Sequence, residues 1–324
     1  MRPVSPEFVV PYSAFAFPVN TVSSPGELRF TTDDLAHALF TTGRAPGDRA
    51  AHGAASVYEW LHRASLIPAY IRRTYREKLV RSDLALELDR SEKVAVSYAL
   101  GQAMTAIFCR SQLSVSHLLH VDRYASQYGL RFGGTRQRSD LFGSAPNGWV
   151  VAEAKGRSGA ASYELRQKLE QQKRSVSLIE GKRPWVAVGC VASFPRRDGS
   201  MRMDAYDPEK DGDEPVEFPV TRDRFILAYY LPFLRAVELG EQESGDVFSS
   251  ARFENVGLRV RLPRLLADRL RAAEQGDVEG LDEDVRALLD DVTSREVGVF
   301  SDGTVVEADW QDALQLADWG SSEG

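Results

Sequence analysis

Residues 149–156, Trp-Val-Val-Ala-Glu-Ala-Lys-Gly, constrain the fold more than any other stretch of this chain. The segment is apolar enough to be an interior strand, yet it closes on Glu153 and Lys155. Alternate side chains of a strand share a face, so Glu153 and Lys155 point one way while Ala152 and Ala154 point the other. Asp140 lies thirteen positions before Glu153, in Ser139-Asp140-Leu141-Phe142, and Pro146-Asn147-Gly148 supplies a turn between them. A hairpin therefore brings the three side chains together at one end of a sheet. Two carboxylates beside a lysine can hold a hard divalent cation and activate a water for attack on a phosphodiester. The competing interpretation is a solvated hairpin with a surface ion pair. Against it, Trp149, Val150 and Val151 read as interior sequence, where an unpartnered carboxylate is costly.

The order over about residues 91–195 is helix, strand, strand ending in Asp140, strand ending in Glu153-x-Lys155, amphipathic helix, strand. This order, with its short motif, resembles the PD-(D/E)XK nuclease superfamily and its restriction-endonuclease-like fold. Ser139 stands where that motif usually has proline. The resemblance implies a Mg²⁺ ion, with Mn²⁺ as an alternative, held by Asp140, Glu153 and the Ala154 carbonyl. Lys155 would then orient or help deprotonate the attacking water and stabilise charge in the transition state. In the following helix, expected over about 161–179, Leu165, Leu169, Val176 and Ile179 define the sheet-facing side. Gln172 falls in the gap of that stripe, with Lys168 one turn earlier. A buried glutamine needs a partner, and the superfamily often places a polar residue here, so Gln172 joins the candidate catalytic set. A boundary glutamine bonded to backbone is the equal alternative. Relatives also carry a metal-associated Glu on the preceding helix. Here Glu92 sits near its start and Gln102 occupies the middle.

Charge points to the same region. The chain of 324 residues has a net charge of −7, which by itself argues against a nucleic-acid partner. Residues 91–200, however, carry sixteen Lys and Arg against eight Asp and Glu, whereas 201–324 carry thirteen against twenty-nine. The basic excess thus coincides with the motif, where phosphate contacts would be made. Arg136, Arg138 and Arg157 flank it in sequence and, with Lys168, are the candidate nucleic-acid-binding residues. The acidic last third suits a protein partner, self-association or self-restraint.

The two cysteines, Cys109 and Cys190, lie far apart in apolar contexts and offer neither a disulfide framework nor zinc spacing. No stretch has the apolar length of a membrane helix, and prolines interrupt the amino-terminal apolar residues, so a cytoplasmic protein without membrane association is expected. There is no GxSxG elbow, P-loop, dinucleotide fingerprint or HExxH. His117 and His120, three apart on an expected strand over 114–124, face opposite sides and read as structural.

Three regions follow: 1–90, mainly helical; 91–218, the nuclease-like core; 219–324, an acidic helical region. Within the first, residues 1–30 read as extended or irregular. In the last, periodicity predicts helices over 225–237, 262–274 and 281–292 and a hairpin of 297–300 with 305–306. The expected fold is α/β: a restriction-endonuclease-like mixed sheet flanked by helices, with helical amino- and carboxyl-terminal additions. The expected activity is Mg²⁺-dependent hydrolysis of DNA, as an endonuclease in bacterial defence or DNA repair. The alternative is a non-catalytic subunit of a defence complex that uses the same fold to hold nucleic acid or a protein.

Overall fold

In the computed structural model the described residues are 5–43, 55–128, 139–160, 169, 178–195, 199–207, 217–243, 247–296, 298–310 and 313–314. The chain begins with β1 (Glu7–Phe15), β2 (Gly26–Thr31), α1 (Thr32–Thr41), α2 (Ala55–Tyr70), β3 (Ile71–Arg73), β4 (Leu79–Arg81) and α3 (Asp83–Glu87). Next come α4 (Arg90–Leu113), β5 (His117–His120), α5 (Val121–Gln127), β6 (Leu141–Ala145), β7 (Gly148–Arg157), β8 (Leu178–Ile179), β9 (Val186–Ser193), β10 (Arg202–Tyr206) and β11 (Glu217–Phe218). The last part holds α6 (Arg222–Leu239), β12 (Glu241–Glu243), β13 (Phe248–Phe253), β14 (Leu258–Pro263), α7 (Arg264–Glu274), α8 (Leu281–Arg295) and β15 (Val305–Ala308).

A seven-stranded mixed sheet in the order β2-β1-β10-β9-β7-β6-β5 forms the centre. The β6–β7 hairpin turns through Pro146 and Asn147, since Ala145 pairs with Gly148, whose φ of 134° suits glycine. From β7 the chain crosses over to β9, which runs parallel to it, with Glu153 beside Gly189 and Lys155 beside Val191. The carboxyl ends of these two parallel strands therefore lie together.

Helix α4 starts from a capping box. The Asp89 carboxylate accepts from the amides of Ser91 and Glu92, and Glu92 reaches back to the Asp89 amide. Its apolar circumference packs against the Ala152 and Ala154 side of β7. A Cβ on Gly156 would lie 1.5 Å from the Ser97 carbonyl oxygen, and one on Gly101 would lie 2.5 Å from the Gly156 nitrogen. Only two glycines allow this approach, which fixes the helix against the end of the strand. On the other face, Leu169 packs on Gly189 and Val191.

Of the stretch expected to be extended or irregular, Glu7–Phe15 and Gly26–Thr31 are extended: β1 and β2 join the central sheet, burying Phe8, Val10 and Tyr12 on one side. Three expectations need correction. The segment 114–124 is not one strand, because after four residues the chain turns into α5 at Val121. The last third is not simply helical either. It contains a four-stranded antiparallel sheet, β12-β13-β14-β15. Among the described residues of the expected 297–306 hairpin, 298–300 form no strand; a tight turn links Phe300 to Thr304, and the following β15 pairs with β14.

Candidate active site

Asp140, Glu153 and Lys155 converge at the end of the β6–β7 hairpin. Asp140 immediately precedes β6 rather than ending a strand, and a 2.9 Å bond from the Val121 amide to its carbonyl ties it to the start of α5. The Asp140 amide donates to Glu153 Oε2 at 3.2 Å, and the Ala154 amide donates to Asp140 Oδ2 at 2.9 Å. Lys155 donates to Glu153 Oε1, and its Nζ lies 3.8 Å from Asp140 Oδ2. The amide and carbonyl of a strand residue face the same edge. The Ala154 carbonyl is therefore directed to the edge where its amide meets Asp140.

The electrostatics of this cluster are unbalanced. Glu153 is fully buried. Burial first, and the neighbouring Asp140 charge second, raise its carboxyl to about 7, despite Lys155 and the hydrogen bonds it accepts. Burial likewise raises Asp140; Lys155, the Ala154 amide and Glu153 oppose the shift, and Asp122 adds to it. With both acids ionised, one lysine leaves the pair a charge in excess. Such a donor set fits a hard divalent cation: Mg²⁺ keeps several waters and needs only one or two protein carboxylates. Among the described residues, no group of three or more His, Cys, Asp or Glu side chains is placed to hold a metal ion.

The other sequence candidates divide clearly. Arg157 ends β7 with its side chain exposed, four residues past Glu153 on the same face. Gln172, Lys168, Arg136 and Arg138 lie outside the described residues. Gln102 is fully buried but belongs to a different group: its Nε2 donates to the Tyr98 hydroxyl and its Oε1 accepts from Arg63. Glu92 completes the α4 cap and is exposed. Neither adds a carboxylate to the site. Asp122 is the neighbour that sequence reasoning missed. It lies eighteen positions before Asp140, and no periodicity links the two; only the turn into α5 brings them together.

Both histidines of β5 are buried, as structural residues would be. His117 Nε2 bonds the Tyr230 hydroxyl at 2.9 Å, and His120 Nδ1 accepts from the Asp122 amide at 3.1 Å. Cys109 and Cys190 are buried free thiols. Among the described residues no helix is long and apolar enough to cross a membrane. Comparison of the chain with protein-family models, curated proteins and solved structures returns no match.

Proposed function

We propose that this protein is a divalent-cation-dependent phosphodiesterase that cleaves DNA, with residues 91–218 forming a restriction-endonuclease-like core of the PD-(D/E)XK type. The observation that carries this reading is the meeting of Asp140, Glu153 and Lys155 at one hairpin end, with the two acids held in a low-dielectric site that leaves them short of positive charge. Asp140, Glu153 and the Ala154 carbonyl would hold Mg²⁺ or Mn²⁺. A cation there polarises a phosphoryl oxygen and lowers the pKa of a bound water.

The chain's own groups do the rest. Lys155 bridges both carboxylates, fixing their relative orientation, and offers its remaining protons to charge developing on the phosphate. The Ala154 amide and the Val121 amide hold Asp140 by its side chain and its carbonyl respectively. Helix α4, seated on Gly156, keeps the Glu-x-Lys strand from shifting. Bacterial defence or DNA repair is the setting that the resemblance suggests for such an activity.

The test is incubation of the purified protein with plasmid DNA, single-stranded DNA and RNA, with and without Mg²⁺ or Mn²⁺. Cation-dependent scission of DNA by the wild type, lost in a folded Lys155→Ala variant, is expected. Scission unchanged in that variant, or none on any substrate, overturns the proposal.

A further inference from the structure

We infer that a cleft bounded by Arg90, Lys93 and Arg157 binds the backbone phosphates flanking the scissile one, so that the bound DNA strand continues past the carboxyl end of β7. This rests on the proposed nuclease reading for its meaning, but on separate residues for its structure. The cleft has a volume of about 530 Å³ and is walled by these three side chains with Val94, Ser158 and Gly159. No carboxylate lines it among the described residues.

Its three cations differ from most others among the described residues. Arg29, Arg63, Arg73, Arg110, Arg222, Arg235, Arg269, Arg271 and Arg286 all meet a carboxylate. Among the described residues, Arg90, Lys93 and Arg157 have no such partner. The nearest acids in sequence, Asp89 and Glu92, are engaged with backbone amides at the α4 cap. Cations in the first turn of a helix oppose the helix dipole, so Arg90 and Lys93 are placed against local preference. An anion in the cleft would meet both the side chains and the favourable end of that dipole.

The cleft is also held in shape. Arg81 donates to the Ser158 carbonyl at 3.0 Å while its guanidinium lies 4.9 Å from the Phe194 ring centroid. The Phe194 amide bonds the Arg157 carbonyl at 3.1 Å. The Gly101–Gly156 approach sets the distance between the helix that carries Arg90 and Lys93 and the strand that carries Arg157. Along that strand Glu153, Lys155 and Arg157 share one face at steps of about 6.6 Å. A strand whose scissile phosphate sits at Lys155 therefore finds its next positive contact at Arg157, and the two helix cations beyond it.

The experiment measures binding of a fluorescein-labelled DNA duplex and single strand to Lys155→Ala protein, which does not cut on the proposed reading. Salt is varied, with and without Arg90→Ala, Lys93→Ala and Arg157→Ala combined. All three positions are exposed or half-buried, and a thermal melt confirms the fold. At least about tenfold weaker binding is expected at low salt, with the log–log salt slope reduced by about 2–3. Arg295→Ala, on the far side of the sequence in α8, serves as the control and leaves both quantities unchanged. Equal affinity and slope in the triple variant, or no DNA binding by the parent protein, overturns the cleft. Separately, wild-type protein that binds DNA through these residues yet never cuts it would remove the nuclease reading and leave the cleft standing.

Discussion

Two buried ionic clusters in this molecule use similar side chains to opposite effect. In one, Asp302 is fully buried and accepts four hydrogen bonds: from His37 Nε2 at 2.8 Å, from the Tyr229 hydroxyl, and from the Thr304 amide and hydroxyl at 3.0 and 2.7 Å. Tyr230 donates to its carbonyl at 2.6 Å and links it to His117. Arg110 donates to His37 Nδ1, so the imidazole keeps its proton on Nε2 for Asp302. Burial alone would raise the Asp302 carboxyl, but His37, Tyr229 and Thr304 hold it well below the usual carboxylate range. In the other cluster, Glu153 is equally buried and its carboxyl is raised to about 7. The first acid has all the donors it needs and clamps the carboxyl-terminal turn to α1 and α6. The second shares one lysine with another acid, which leaves a deficit that a bound cation would fill. Full satisfaction is what a structural group needs, and the standing deficit is what the proposed cation site rests on.

The contrast can be broken by substitution. Asp302→Ala leaves His37, Tyr229 and Thr304 without their acceptor and should lower unfolding free energy by about 3–5 kcal/mol, read from denaturant titration. A loss under 1 kcal/mol would show that the network is dispensable.

A smaller effect concerns pH. Glu153 binds its proton more tightly in the folded state than its ordinary value of 4.5, up to about 7. The folded form therefore holds more protons across that window, and metal-free stability from this group falls as pH rises from about 4.5 to about 7. The other cluster behaves in the reverse sense. Burial lowers His117 to about 4 and Asp302 is depressed, so stability from both is lost as pH falls, for His117 between its ordinary 6.5 and about 4. Between about pH 4.5 and 6.5 the two contributions oppose one another, so Glu153→Gln, which removes only the one that falls with pH, should make the melting temperature rise more steeply with pH there than in the wild type. A shallower rise in the variant would reverse the assignment.

The smallest expected change is in the metal-free stability of Glu153→Gln at neutral pH. Removing one of two like buried charges should leave it within about 1 kcal/mol of wild type or slightly above. A loss as large as that of Asp302→Ala would make Glu153 a structural acid and erase the distinction.

The sequence made the candidate site legible and hid the Asp302 cluster, for a physical reason. Glu153 and Lys155 sit on a strand of period two, next to a two-residue turn, so their shared face and their approach to Asp140 follow from local rules. Asp302 lies in Ser301-Asp302-Gly303, which reads as an exposed turn; only packing against α1 and α6 buries it. Strand β1 alternates inward at Phe8, Val10 and Tyr12, but Pro11 obscures the pattern. That proline is tolerated because its ladder partner is Glu27 of β2, and pairing with β10 begins only at Tyr12. Strand β14 likewise alternates at Leu258, Val260 and Leu262, then passes at Pro263 into α7 with no intervening loop, so its last two residues read as part of the helix. The arrangement of Asp122 and of the Gly101–Gly156 contact depends on long-range packing and leaves no mark in sequence spacing.

The central claim, that the Asp140–Glu153 pair is a cation site, is tested most directly by calorimetric titration of the metal-free protein with Mg²⁺ at pH 8, beside Glu153→Gln. The account predicts saturable binding at one site in the wild type, weaker at pH 6 where Glu153 holds its proton, and lost in the variant. Absence of binding to wild type, or equal binding to both proteins, would contradict it.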